Sequence, residues 1–246
     1  FVNIILNRKE QKNALNPQMI DEIQHVFDTN YNNNNNRVIL ISSSSNIFCA
    51  GADIKYLKEI KDFSYTKNLK DSKLLMNLFK TMLTYPKLII SKVSGAAIGG
   101  GCGLVTASDI VFATEESIFG YPEVKIGFIP ALVSTFLMKK INETDARELL
   151  LTGNLIKSKK AKEIGLINYI SKTRSINNDI NLFIEKIIKN TSSNSIQETK
   201  KMLYVWLNLD KKLEQAAQLN AQNRKTEDFK RGITAFIEKK KINWNK

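Results

Sequence analysis

The chain of 246 residues contains one histidine, two cysteines and four prolines, and no apolar run near the ~18 residues that a membrane-spanning helix needs. Each shortage removes a class of chemistry. His25 alone cannot supply the histidine pairs of a zinc cluster. Within Ile20-Asp21-Glu22-Ile23-Gln24-His25 it reads as one position of an amphipathic helix, with no partner constellation around it. Cys49 and Cys102 cannot build a disulfide framework. They read as reduced thiols, which makes a cytoplasmic location the expectation. The start, Phe1-Val2-Asn3-Ile4-Ile5, has neither the basic region nor the cleavage site of a signal peptide. It also lacks Met, so residues ahead of it stay open.

What is present is an ordinary globular mixture, 43 % hydrophobic and 25 % charged. The length suits one large domain, or one with a helical appendage, with a sizeable core. The net charge is +13, which by itself would suit an anionic partner. The lysines are scattered, however, and the densest group is only Lys239-Lys240-Lys241. That pattern fits a solvated surface better than a nucleic-acid footprint, and no membrane partner is expected. Asn32 to Asn36 is a low-complexity run that reads as a surface loop.

Periodicity predicts an alternating α/β order. Phe1 to Asn7, Arg37 to Ser42 and Leu88 to Val93 read as strands, followed by short strands at Asp109 to Ala113, Ile118-Phe119 and Leu166 to Ile170. Asn16-Pro17 is an N-cap followed by Pro at the first helical position, opening a helix to about Asp28. A short helix follows Ile54, and Lys70 to Leu83 carries Leu74, Leu75, Leu78, Phe79 and Met82 on one face. Helices are expected at Ala131–Lys140, Glu143–Leu151 and Ser158–Ile164, and after about Asn177 only helices remain, including Ser195–Leu207, Leu213–Asn223 and Glu227–Lys239. Alternation predicts buried strands with helices packed outside. The expected division is a core over residues 1–190 and a helical region over 191–246.

Two glycine-containing turns each follow a buried strand and open a helix: Phe48-Cys49-Ala50-Gly51-Ala52-Asp53-Ile54-Lys55 and Gly95-Ala96-Ala97-Ile98-Gly99-Gly100-Gly101-Cys102. Such turns aim free backbone N–H groups at a ligand, with the helix dipole behind the second. Two convergent donors can hold an oxyanion. The triple glycine is not a dinucleotide fingerprint, because Leu104 stands where the third glycine belongs. A third segment, Phe119-Gly120-Tyr121-Pro122-Glu123-Val124-Lys125, sets one acid among apolar residues, where burial would raise its pKa into the range of general acid–base work.

In this order, the three elements resemble the crotonase (enoyl-CoA hydratase/isomerase) family. The resemblance runs from Leu6-Asn7-Arg8 and Asn13-Ala14-Leu15 through Ala146 to Gly153 and Ala161 to Ile167, and closes with Gly232 to Lys240. It implies a spiral of ββα units with a C-terminal helical region that builds trimers, often paired as hexamers. It implies an acyl-CoA thioester as substrate, with coenzyme A part of that substrate and no metal or redox cofactor. The oxyanion donors fall on Ala52 and Gly100, and Glu123 matches one of two catalytic glutamates. Ala50 and the segment Ala52, Asp53, Ile54 and Lys55 would line the thioester and pantetheine. Phe236 and Lys239 match positions that meet the CoA nucleotide, and Tyr121 is the next proton-carrier candidate.

One departure stands out: the other catalytic glutamate would fall at Gly103. The segment Glu123 to Ser134 is similar to that of bacterial methylglutaconyl-CoA hydratases. The expectation is therefore hydration of a short branched or carboxylated enoyl-CoA such as 3-methylglutaconyl-CoA, in leucine breakdown, with Gly103 opening room for the acyl chain. An enoyl-CoA isomerase, a general hydratase, a decarboxylase and a non-catalytic RNA-binding member stay open.

Overall fold

The run Val38–Ser43 lacks polar alternation because both of its faces are covered: Val38, Ile39 and Ile41 are 0 % exposed. A computed structural model describes residues 1–245. Eight strands lie among them: β1 (Val2–Leu6), β2 (Val38–Ser43), β3 (Leu88–Val93), β4 (Ala96–Ile98), β5 (Ile110–Thr114), β6 (Ile118–Gly120), β7 (Ile156–Lys157) and β8 (Tyr169–Ser171). Five form a parallel sheet in the order β1-β2-β3-β5-β8, with Ile39 opposite Ile89 and Ser91 opposite Val111. The other three form a small sheet, β4-β6-β7, in which only the β6–β7 pair is antiparallel.

The helices are α1 (Pro17–Asn30), α2 (Ile54–Ile60), α3 (Tyr65–Thr84), α4 (Gly100–Ala107), α5 (Ala131–Lys140), α6 (Glu143–Thr152), α7 (Ser158–Glu163), α8 (Ile176–Asn190), α9 (Ser193–Leu207), α10 (Asp210–Asn223) and α11 (Glu227–Ile237). Val38, Leu40, Ile90 and Phe112 face Ile176, Ile180 and Ile184 of α8, whereas Ile39 and Ile41 face the main core with α1, α3 and α4. Alternate residues of one strand thus feed two layers. A strand of the large sheet, a strand of the small sheet and a helix recur as β3-β4-α4 and again as β5-β6-α5. The expected ββα spiral is present.

Several boundaries moved for local reasons. Helix α3 starts five residues before Lys70, because the Ser64 hydroxyl accepts the Lys67 N–H at 3.2 Å and caps the helix there. The strand expected over Leu166–Ile170 is confined to Tyr169–Ser171. The N–H groups of Leu166 and Ile167 donate instead to the Ala161 carbonyl, closing the turn after α7. Strands β4 and β7 are too short to show as a periodic run.

Helix α8 ends at Asn190, and α9, α10 and α11 turn back onto the core. In α9, Lys200 donates to the Lys87 carbonyl at 3.0 Å and pairs with Asp109. Helix α10 packs on α3 and α5, and α11 packs on α2 and on the 3-10 helix Pro122–Ile126. The α11 contact depends on Gly232, where a Cβ would collide with the Ile126 carbonyl. The helical region therefore packs against α2 and against the 3-10 helix that carries Glu123. Among the described residues no helix is long and apolar enough to cross a membrane.

Candidate active site

The two glycine turns meet because their flanking backbones pair. Cys49 forms an isolated parallel bridge with Ala97, and the Ile98 N–H donates to the Cys49 carbonyl at 2.9 Å. On the other side, Leu15 bridges to Ala52, and the Asp53 N–H donates to the Leu15 carbonyl at 2.9 Å. Gly51 supplies the required left-handed backbone, φ +93, and a Cβ there would press on the Ile98 carbonyl at 3.0 Å. Ala52 N–H and Gly100 N–H are left beside the same cavity, and neither is found donating to another group among the described residues.

Gly100 is the first residue of α4, so its N–H is one of the donors that a helix cannot use internally. At the opposite end, Lys140 Nζ donates to the carbonyls of Val105, Thr106 and Ser108 at 3.4, 3.0 and 2.8 Å. A cation at the C-terminus and a cavity at the N-terminus suit the helix dipole. Burial pushes the Lys140 ammonium down to about 8.

The cavity holds about 400 Å³ and is lined mainly by apolar side chains, among them Leu15, Leu57, Leu75, Phe128 and Val133. Glu123 enters it from the 3-10 helix after β6. Its Oε1 lies 3.1 Å from where a Cβ on Gly99 would stand, while Oε2 is buried with no hydrogen-bond partner. Desolvation raises this carboxyl from 4.5 to about 7, against a smaller lowering by its own backbone N–H. A carboxyl that titrates near neutrality can both take and return a proton. The two thiols are not nucleophile candidates: both are 0 % exposed, and burial pushes each up to about 12.

Of the residues singled out in the sequence, Ala50, Ala52, Gly100, Glu123 and Phe236 line the cavity. Asp53 sits behind it, capping α2 through the Lys55 N–H at 2.8 Å and pairing with Arg8. Hydrogen bonds from Arg8 and from the Lys55 and Tyr56 N–H groups outweigh burial there and hold its carboxyl below the usual range. Ile54 and Lys55 point outward, and Lys239 is exposed beyond the end of α11. Tyr121 is 0 % exposed, and its hydroxyl is bonded to Thr106. It is a core residue away from the wall.

Gly103 corrects an expectation. It is buried in α4 and does not reach the cavity. A Cβ there would stand 2.6 Å from Phe79 and 2.7 Å from Val133. Those two side chains already fill the space that the missing side chain leaves, so Gly103 opens no room for an acyl group.

The structure adds wall residues that sequence reasoning did not find. Asp71 of α3, Tyr56 of α2, and Asn220 and Arg224 at the end of α10 line one part of the cavity. Arg224 pairs with Asp71 across 153 positions of sequence, and Tyr56 donates its hydroxyl to the same carboxylate. No periodic signal links such residues. Among the described residues no three His, Cys, Asp or Glu side chains group as a metal site.

A family model described as enoyl-CoA hydratase/isomerase matches residues 1–246. A Thermus thermophilus protein whose name carries the words enoyl-CoA hydratase is 36 % identical over 239 residues, covering 96 % of this chain and 94 % of that one. The short-chain-enoyl-CoA hydratase of Clostridium acetobutylicum is 30 % identical over 243 residues, 97 % of this chain and 92 % of its own. The crystal structure of an enoyl-CoA hydratase from Shewanella pealeana superposes with a TM-score of 0.80 at 28 % identity, covering 98 % of this chain and 91 % of that one.

Proposed function

On the premise that the chain belongs to the enoyl-CoA hydratase/isomerase family, we propose that it hydrates an enoyl-CoA through a thioester enolate held by the N–H groups of Ala52 and Gly100. The observation that carries the reading is one buried carboxyl, Glu123, raised to about 7 in a cavity that Ala52 and Gly100, whose N–H groups have no acceptor among the described residues, also line. Glu123 takes a proton from water as its oxygen bonds to the β-carbon. The π electrons move onto the thioester oxygen, where the two donors meet the developing charge. The protonated Glu123 then returns its proton to the α-carbon, and the net change is addition of one water. A single carboxyl suffices because it acts first as base and then as acid. The scheme uses coenzyme A only as part of the substrate and needs no metal or redox cofactor. Phe236 on the wall and Lys55 and Lys239 outside it are suited to the CoA chain.

Isomerisation is the second reading. Gly103 offers no second carboxylate, and one carboxyl can also carry a proton between the α- and γ-carbons. The finer acyl group in this proposal is short and branched or carboxylated, as in 3-methylglutaconyl-CoA of leucine breakdown, and the segment Glu123 to Ser134 supports it. The deciding experiment is a panel of enoyl-CoAs in ¹⁸O water, with oxygen incorporation and double-bond position scored separately. Solvent oxygen at the β-carbon is expected. A shifted double bond without it favours the isomerase, and salt-sensitive RNA binding with no thioester turnover overturns both.

The proposal includes a homotrimer or hexamer in a reducing, cytoplasmic compartment, where Cys49 and Cys102 stay free. Helix α9 supports the assembly, since it exposes Leu203, Val205 and Trp206, the last at 70 %. Sedimentation should give a multiple of three chain masses, with Trp206→Lys shifting it downward. A single-chain mass for the unaltered protein would overturn the assembly.

A further inference from the structure

Arg224 has more hydrogen-bonding capacity than its surroundings use. The residue is 6 % exposed and lies on the cavity wall. Its Nη1 donates to Asn68 Oδ1 at 3.3 Å and to Asp71. Its Nε is buried with no partner, and no hydrogen bond from Nη2 is found among the described residues. One face of the guanidinium lies over Phe128, 5.4 Å from the ring centre. Asp71 and Phe128 thus fix the plane of the group while the Nε–Nη2 edge is left without a hydrogen-bond partner among the described residues. Two parallel donors on that edge match the two oxygens of a carboxylate. Asn220, four residues earlier on α10, also lines the cavity and has a buried, unpartnered Oδ1. Its amide can turn to offer the NH₂ group instead, since the two ends are nearly isosteric.

The position suits the far end of a short acyl chain. Leu75 of α3 lies 3.9 Å from where a Cβ on Gly100 would stand. Asp71, the partner of Arg224, is four residues earlier on α3, and one helical turn rises ~5.4 Å. Four carbon–carbon bonds of ~1.5 Å span a similar length when extended. A five-carbon diacid monothioester would therefore carry its free carboxylate from the oxyanion site to the vicinity of Arg224. We infer that Arg224, held by Asp71 and assisted by Asn220, is the specificity determinant of this site and receives the terminal carboxylate of a short dicarboxylic acyl-CoA. The inference rests on the proposed acyl-CoA reading and supplies the recognition that Gly103 does not.

The test reads binding separately from turnover. Glutaryl-CoA and pentanoyl-CoA, equal in chain length and differing in the terminal carboxylate, are titrated calorimetrically against the unaltered protein, Arg224→Lys, and the double variant Asp71→Leu/Arg224→Met. The double variant removes both charges together, so that neither is left buried alone. The lysine variant keeps the charge and loses the paired donors. The unaltered protein should bind glutaryl-CoA at least ~10-fold more tightly than pentanoyl-CoA, as expected of a charge-assisted bidentate contact. Both variants should lower that ratio by most of the difference, with affinity for free CoA held within ~3-fold. Equal affinities in the unaltered protein, or a ratio untouched in both variants, overturn the inference. So does an equal loss for both thioesters and free CoA, which would place a CoA phosphate on Arg224. Trans-glutaconyl-CoA and 2-pentenoyl-CoA are then assayed for hydration. Selective binding with hydration of neither removes the hydratase reading and leaves the carboxylate site standing.

Discussion

Glu123→Gln is expected to lower turnover by ~10²–10⁴-fold, the range of a lost general base, while leaving affinity for a saturated acyl-CoA nearly unchanged. Glutamine keeps the shape of the side chain and cannot hold a mobile proton. In the proposed scheme the carboxylate activates water, so kcat/KM should rise through about pH 7 and level above it. The residual activity of the variant should lack that limb. The same substitution has a stability sign. Glu123 titrates at about 7 in the folded chain against 4.5 unfolded. The folded state therefore binds this proton more tightly. That contribution is complete below 4.5 and is lost as pH rises through about 7. The difference corresponds to an upper limit of ~3 kcal/mol at 1.36 kcal/mol per pH unit. Glutamine is neutral throughout, so the variant should gain up to that amount over the unaltered protein at pH 8, with the gap closing near pH 4. Urea titrations at the two values measure it. A variant that is less stable at pH 8 and still turns over at the original rate would move the chemistry to another group.

Lower activity together with higher stability is the expected outcome for this variant because of how the carboxyl is held. An unpartnered carboxyl oxygen in an apolar cavity costs the fold free energy, and the same desolvation raises its pKa to about 7. This part of the site was legible in the sequence, because it depends on local features. The apolar runs at Val38 and Leu88 read as buried strands, and the glycines at 51 and 99 to 101 as turns that aim free backbone N–H groups. Glu123 stood alone among apolar neighbours. Gly103 was misread for the opposite reason. Whether a missing Cβ opens a pocket depends on what side chains from elsewhere fill the gap, and Phe79 of α3 and Val133 of α5 fill this one. The Arg224–Asp71 pair was invisible for a related reason: its members are remote in sequence, and each resembles an ordinary surface charge on an amphipathic helix until α10 is laid against α3.

Gly100→Pro tests the proposed oxyanion donors with little disturbance to the fold, and turnover should fall by ~10²–10³-fold, the measured scale for removing one such donor. Proline removes the N–H outright. It is tolerated at the first position of a helix, where that N–H has no internal acceptor, and Gly100 occupies this position in α4. The residue before a proline is usually forced into extended conformations. Gly99 is at φ 53, ψ −125, the mirror image of the polyproline region, which an achiral residue accepts as readily as the region itself. The first carbon of the new ring would meet side chains rather than backbone, since a Cβ at Gly100 stands 3.1 Å from Leu15 Cδ1 and 3.9 Å from Leu75 Cδ2. Gly100→Ala supplies the control: it adds the same first carbon and keeps the donor, so it should retain turnover within ~10-fold, the loss coming from displacement of Leu15. The pair separates the N–H from the space around it. If the alanine variant is as slow as the proline variant, the cavity wall at Gly100 matters through its shape. If a folded proline variant works at the original rate, the enolate oxygen is held elsewhere, and Ala52 no longer has a partner across the site.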